Sequence, residues 1–444
     1  MAEFRQPQPH IQASTSRGPS GTGENIPAYR WKLIVSTSIA NALEWFDFVV
    51  YGFFAVVMAK LFFPGSNDIT ALLAIFATFA IPFAVRPIGA IILGAYADRH
   101  GRKKTLLLTI GLMTLATAIM ATVPTYGSIG AWAAVIMIAA RMLQAFSVSG
   151  EYGAAVAFLV EQDDESRRGF LASWHYSSQS MTAVLATGFA TALNATLTPG
   201  QLESWGWRVP FLFGLLIAPV GLYVRSQLRE TDQFMAAQPS KAPVLEVLAN
   251  YRSHVALSAG VIAVSAVTVY MVVFMPTFAI KQLHLPSSSA YLGSLLAGTI
   301  QVVLIPIVGL LSDRHDRISL SLVASLAVLI LAYPLFAFLV SVPSVPALLA
   351  VQGVLGVLNA INLGCLGALV AGLFPTRLRT SGLSFANALT QMVIGGTTPF
   401  ISLWLIEATG RPTAPALYLM FGATLSVAAL AVLSRKRRLT DGHT

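Results

Sequence analysis

Five ionisable residues lie inside otherwise apolar runs. Glu44 and Asp47 stand in NALEWFDFVVYGFF (41–54), Arg86 opens RPIGA (86–90), and Arg141 and Glu151 fall in ARMLQAFSVSGEYGA (140–154). Residues three apart share one face of a helix. Two carboxylates so placed in a low dielectric resist ionising together, so one of them can exchange a proton near neutral pH. An arginine offers a planar fork of donors that fits a carboxylate. These types together suit proton uptake beside recognition of an anion, with Glu44, Asp47 and Glu151 as the proton-coupling candidates. The plainer reading is mutual pairing that holds helices together. If all five ionised they would carry one net negative charge, which one bound proton would balance.

The elements that must position them follow from composition. Of 444 residues, 55% are hydrophobic and 11% charged, and the mean hydropathy is +0.70. Soluble domains are about 25% charged. The chain therefore reads as a polytopic membrane protein with the lipid bilayer as partner. Its net charge of +9 sits in short loops between apolar runs, not in a patch interleaved with aromatics, which excludes a nucleic-acid partner. The lone Cys365 excludes an intrachain disulfide and a multi-cysteine metal cluster, and reads as a small core residue. No phosphate-cradling loop, zinc spacing or nucleophile elbow is present, so neither an enzyme nor a cofactor is expected.

About 20 apolar residues span a bilayer. Spans are expected near 32–60, 70–97, 105–124, 129–160, 169–193, 208–226, 254–281, 288–312, 318–341, 347–373, 381–407 and 414–433. Most Lys and Arg fall on the side that holds both tails, which makes that side cytoplasmic. Residues 1–28 read as a disordered cytoplasmic tail without a cleavable signal, 29–226 as a six-helix bundle, and 227–250 as a cytoplasmic linker. Residues 251–434 form a second bundle and 435–444 a basic tail. The fold class is thus all-α, with twelve transmembrane helices in two pseudo-symmetric halves. An internal repeat supports the division: GAYADRHGR at 94–102 returns as GLLSDRHDR at 309–317, and SRRGFLAS at 166–173 more loosely as RTSGLSFA at 379–386.

The loop GAYADRHGRKK (94–104), with its second copy, resembles the signature of the major facilitator superfamily. EWFDF (44–48), RPIGA, ARMLQAFSVSGEYGA and WGWRVPF (205–211) resemble its metabolite:proton symporters, across nearly the whole chain outside the tails. That family carries citrate, 2-oxoglutarate, shikimate and related acids, and some members carry zwitterionic osmolytes. The resemblance implies a bacterial inner-membrane symporter, functional as a monomer, whose partners are protons and a small organic anion. Stretches similar to 2-oxoglutarate carriers and to citrate carriers both occur, so the acid stays open. A proton symporter of a zwitterionic osmolyte, or of shikimate or aromatic acids, is one alternative, and a non-transporting receptor on the same fold another.

At roughly 1.5 Å rise per residue, Glu44, Asp47 and Arg141 reach a central cavity, while Arg86 and Glu151 line its cytoplasmic side. Arg141 and Arg86 are the expected anion ligands, with Gln144 on the Arg141 face. The C-terminal half has no comparable charge at depth. Its candidates are Tyr270, Asn359, Asn362, Asn387 and Gln391, each of which also reads as interhelical glue. Asp98, Arg102 and Asp313 in the two loop copies are expected to gate access. Asp316 replaces a glycine in the second copy, so that latch is expected to be the weaker. His175, near the cytoplasmic end of its span, is expected to make a structural or gating contact.

Overall fold

The computed structural model describes residues 28–441, apart from 66, 101, 150, 162–166, 217–218 and 220–242. The side chains of Asp98, Arg102 and Glu151 lie outside the described set, as do residues 1–27 of the expected tail and most of the linker. The described part of that linker, Pro243–Asn250, is a short helix.

Lipid offers no hydrogen bonds, so each apolar run satisfies its own backbone as a helix. In chain order these are α1 (Ala28–Phe53), α2 (Ala55–Phe62), α3 (Asp68–His100), α4 (Arg102–Thr122), α5 (Trp132–Val148), α6 (Glu151–Glu161), α7 (Arg168–Thr196) and α8 (Val209–Gly214). The second half holds α9 (Arg252–Lys281), α10 (Leu292–Ser312), α11 (Arg317–Ser341), α12 (Val345–Ala371), α13 (Arg379–Thr390), α14 (Thr398–Thr409) and α15 (Pro415–Asp441). Among the described residues seven passages are long and apolar enough to cross a membrane, α13 and α14 counting as one, and α1–α2, bent by 67°, makes an eighth. Passages at α4, α5–α6, α7 and α8 complete the expected twelve, and most of the expected span 208–226 beyond α8 lies outside the described residues. Several expected boundaries shift. The first span divides into α1 and α2, the fourth into α5 and α6 and the eleventh into α13 and α14, and the basic tail continues α15 to Asp441.

Large apolar side chains such as Ile88, Ile91, Val323 and Ile330 point outward, as lipid requires. In α9 and α12, by contrast, 78% of the most apolar stretch is buried, against 33% in α11, so those two helices sit centrally. Prolines inside the spans are answered by serines. Pro306 cannot bond the carbonyl of Val302, and Ser177 of α7 donates to that oxygen at 2.8 Å. Pro276 likewise leaves the Val272 carbonyl to Ser294, at 2.7 Å.

The halves meet most intimately where α7 lies on α10. A Cβ at Gly309 would come within 2.6 Å of the Ser173 Cβ, so only glycine permits this approach. Close backbone approach of this kind stands in for a hydrophobic drive, which lipid does not supply. At the end of the bundle carrying the loop motifs (the motif end), Asp313 accepts from the Gly169 and Phe170 amides at 2.7 and 2.9 Å, and Gly153 N–H donates to Ser384 Oγ at 3.1 Å. At the far end Phe76 packs on Phe274 and Lys281 pairs with Asp68 at 2.7 Å. The bundle is closed on both sides of its middle.

Candidate functional site

Arg141 of α5 is fully buried. Its Nη1 donates to the Phe48 carbonyl at 2.8 Å, while Nε and Nη2 have no partner among the described residues. The guanidinium carbon lies 4.3, 4.5 and 5.1 Å from the ring centroids of Phe48, Tyr51 and Phe79. Arg86 of α3 sits over Phe83, Phe48 and Trp45 at 4.5, 4.8 and 5.1 Å, and its Nε also lacks a partner. Both guanidiniums lie against the Phe48 ring, within about 9 Å of each other. Arginine at mid-membrane costs about 2.5–3.5 kcal/mol on the insertion scale. A desolvated cation–π contact returns up to about 2 kcal/mol. The aromatic faces thus offset much of the burial, but two neighbouring cations and their bare N–H groups remain best satisfied by an anion. Tyr51 is held in place by a shared hydrogen bond with Thr78, which itself donates to the Ile75 carbonyl at 2.8 Å.

Asp47 is fully buried one helical turn before Tyr51 on α1. Thr117 of α4 donates to its Oδ2, and Gln144 Nε2 donates to the Thr117 hydroxyl at 3.2 Å. Its Oδ1 has no partner among the described residues and faces Gly214 of α8, where any Cβ would collide with the carboxylate. Glycine at 214 is what makes room for the acid. This carboxylate is enclosed within the N-terminal half, between α1, α4 and α8.

Between the halves lies a cavity of about 30 Å³, the space of roughly one water. Trp45 and Val49 line it from α1, and Gln179, Ser180 and Ala183 from α7. Val269, Tyr270, Val272 and Val273 of α9, Gln301 of α10 and Leu363 of α12 complete it. The Tyr270 ring packs on Phe79 and Phe83 at 5.7 and 5.5 Å, and Trp45 carries Arg86 on its ring. Trp45 and Tyr270 therefore stand between the cavity and the guanidiniums.

Several expectations change. Glu44 is half-buried whereas Asp47 is fully buried, so the two carboxylates do not share one environment. Neither Asp47 nor Arg141 is among the residues lining the cavity. Arg86 meets Arg141 across the Phe48 ring, and it rests on Trp45 and Phe83 where Arg141 rests on Tyr51 and Phe79, about one turn nearer the motif end. Gln144 donates into the Asp47 network through Thr117. Asn362 does not line the cavity, and its Oδ1 accepts from Ser321 and Ser325 at 2.8 and 3.1 Å, tying α12 to α11.

Tyr270 lines the cavity with its hydroxyl unpartnered among the described residues, and both polar atoms of the buried Asn359 are likewise unpartnered. Gln391 Nε2 donates to Asn387 Oδ1 at 3.4 Å, at the start of a π-helical turn, Gln391–Gly395, that joins α13 to α14. Asp313 is engaged by α7 and by Arg317 at 2.7 Å. The expected weakness of that latch does not follow, since Asp316 gains partners of its own in Ser319 and Arg437. His175 is buried between Tyr152 and Tyr176, which hydrogen-bond to each other at 2.7 Å. Sequence reading missed Thr117, Trp45, Ser180 and Gln301, whose signal is only a hydroxyl, an indole or an amide in an apolar run.

Residues 33–253 match the family model described as Sugar (and other) transporter, and residues 294–443 the one described as Major Facilitator Superfamily. The chain is 36% identical to a citrate-proton symporter of Klebsiella pneumoniae, over 91% of each chain. It is 32% identical to an alpha-ketoglutarate permease of Escherichia coli K12, over 91% of this chain and 93% of that one. Identity is also 32% to a proline/betaine transporter of the same strain, over 89% and 82%. A solved D-xylose-proton symporter superposes with a TM-score of 0.68 at 17% identity, covering 91% of this chain and 97% of that one.

Proposed function

We propose, from the premise that the chain belongs to the major facilitator superfamily and within it to the metabolite:proton symporters, that it imports a small organic carboxylate together with a proton. As a member of that family it is a multi-pass membrane transporter and not an enzyme, and it couples a small molecule to protons. The carboxylate reading is carried by one observation, the buried Arg141 with two N–H positions unpartnered beside Arg86. A citrate-like or 2-oxoglutarate-like anion would satisfy those donors and relieve the repulsion between the cations. Trp45 or Tyr270 would swing aside to admit it, because the cavity between the halves is too small for such a molecule.

In this reading Asp47 takes the proton. Loading drives occlusion only if the ligands bind one access state better than the other. A proton on Asp47 and an anion on the arginines neutralise opposite charges buried in the same half, so the loaded carrier has the smallest uncompensated charge to bury. Rocking of the halves about the cavity then alternates access. The Lys and Arg distribution supports a cytoplasmic motif end with both termini inside, in a bacterial inner membrane.

A second reading, a zwitterion such as betaine, is supported by the proline/betaine relative. Against it, the aromatic faces that would stack a quaternary ammonium already carry Arg86 and Arg141. Purified protein in vesicles, given citrate, 2-oxoglutarate or glycine betaine with and without an inward proton gradient, separates the two. Gradient-driven accumulation of a carboxylate is expected. Accumulation of betaine alone would overturn the carboxylate reading, and binding without any accumulation would favour a receptor.

A further inference from the structure

We infer that Gln301, oriented by Ser180, forms a second ligand subsite that receives an acceptor oxygen of the substrate, at the end away from its guanidinium-bound carboxylate. The inference rests on the carboxylate reading above and assigns that substrate a second feature.

Gln301 of α10 is 4% exposed. Ser180 of α7 donates to its Oε1 at 3.0 Å, which turns the amide so that Nε2 is left without a partner among the described residues. Both side chains line the cavity, next to Gln179. A buried amide N–H without an acceptor is costly, and protein interiors seldom tolerate it. At the wall of a cavity between two moving halves, such a donor is a ready position for a ligand atom.

The chemistry of the walls selects that atom. Among the described residues no carboxylate lines the cavity, so a cationic group entering here meets no counter-charge from them. Trp45 holds Arg86 on its ring and so already carries a cation. What the cavity offers is hydrogen-bond donation, from Gln301 Nε2 and from the Tyr270 hydroxyl, which is also unpartnered. A hydroxyl, keto or second carboxylate oxygen fits both donors.

The subsite also crosses the seam. Ser180 belongs to the first half and Gln301 to the second, and the neighbouring Ser177–Val302 bond and the approach of Gly298 to Val184 fix the two helices closely there. A substrate held by Arg86 and Arg141 at one end and by Gln301 at the other touches both halves at once. A monocarboxylate too short to reach Gln301 touches the cationic side only.

Calorimetric titration of the purified full-length protein with citrate, 2-oxoglutarate and glycine betaine tests this. Gln301→Leu keeps the volume and removes the amide. It is expected to weaken whichever polycarboxylate binds the wild type by about tenfold, the worth of one buried hydrogen bond. Ser180→Ala, which frees the amide to turn, should weaken it by about threefold. Gln301→Glu places a like charge at the subsite and should weaken the polycarboxylate more than Gln301→Leu does, while betaine binding does not fall. Polycarboxylate affinity within twofold of wild type in folded Gln301→Leu and Ser180→Ala overturns the inference. If Gln301→Leu does not fold, Ser180→Ala alone decides, with an unchanged affinity counting against the subsite. A wild type that binds betaine and neither polycarboxylate removes the carboxylate reading itself, an outcome distinct from a failure of Gln301.

Discussion

Asp47, Arg86 and Arg141 are all buried in the first half, whereas the buried polar side chains of the second half, among those described, are uncharged amides and hydroxyls apart from the Asp313 carboxylate at the motif end. The repeat aligns Arg141 with Gly356, and there a Cβ would come within 3.1 Å of the Ala297 Cα. Where one half carries a cation, the other has brought α12 against α10. A charge at that position would have to push the two helices apart. The helical scaffold and the buried charges are thus separable: both halves follow one plan, but buried charge at depth is concentrated on one side. Under the proposed function, the uncharged side can adapt its amides to a ligand without disturbing Asp47.

The sharpest way to break this comparison is at Asp47. Its carboxylate has one donor, Thr117, and one oxygen without a partner among the described residues. Asp47→Asn keeps the volume and removes the exchangeable charge. We expect accumulation driven by a pH gradient to be lost, with counterflow exchange retained because it requires no net proton movement. If Asp47→Asn still concentrates substrate under a pH difference, the proton travels elsewhere, and Glu44 and Glu151 are next to test.

Arg141 against Asn359 gives the next largest contrast. Arg141→Lys keeps the charge but loses the fork and the flat face that rests on Phe48, Tyr51 and Phe79. Losing a buried, hydrogen-bonded charge contact costs about 2–5 kcal/mol, roughly 30-fold or more in affinity. Asn359→Leu, in the uncharged half, should cost about fivefold at most. Equal losses in both variants, measured by titration of folded protein, would erase the asymmetry.

How far the sequence revealed this arrangement depended on charge. Lipid forbids unsatisfied backbone, so apolar length alone announced the helices, and a repeated loop announced two halves. The buried charges stood out because each is expensive. Their partners did not, because a threonine such as Thr117 or a tyrosine such as Tyr51 is ordinary in a membrane helix until a fold sets it against Asp47 or Arg141. The meeting of Arg86 with Arg141 across one ring was hidden for a related reason. Rise along a helix places the Cα, whereas three aromatic rings decide where a long guanidinium side chain ends. The end of α5 at Val148 and the π-helical turn at Gln391–Gly395 were equally illegible, since hydroxyl and amide residues occur in regular spans too.

A smaller effect is expected at Asp313, where the second half reaches across to hold the first. Its carboxylate accepts two amide N–H groups at the start of α7 and pairs with Arg317. An anion at a helix N-terminus is worth about 1 kcal/mol, roughly fivefold in the balance of access states. Asp313→Asn should therefore raise the labelling rate of a cysteine placed on the motif-end face of the cavity by a few fold. Substrate affinity should stay within twofold. A fall in affinity with labelling unchanged would make Asp313 part of the ligand site instead of a latch. Its counterpart in the first half, Asp98, lies outside the described side chains and is expected to act in the same direction.

The smallest effect belongs to Asp316, the residue that departs from glycine in the second loop copy. It caps α11, accepting from Ser319 N–H at 3.1 Å and from the Ser319 hydroxyl at 2.6 Å, and it pairs with Arg437 of α15 at 2.6 Å. Burial alone would push its carboxyl up, but the Ser319 bonds and Arg437 outweigh that and hold it below the usual carboxylate value. A carboxylate held low stabilises the fold at pH values above its unfolded pKa of about 3.9, and that contribution fades as pH falls through the lower folded value. Losing a cap costs about 1 kcal/mol in a typical helix, and an exposed ion pair adds at most about the same. Asp316→Ala should therefore lower the thermal midpoint of the purified protein slightly at pH 7 and not at all once the wild-type carboxyl is protonated. Asp316→Asn retains a capping oxygen and loses only the pairing with Arg437, so its shift should be the lesser of the two. A shift for Asp316→Ala that is just as large in acid would show that packing, and not this cap and ion pair, is what the first half lacks at the matching glycine.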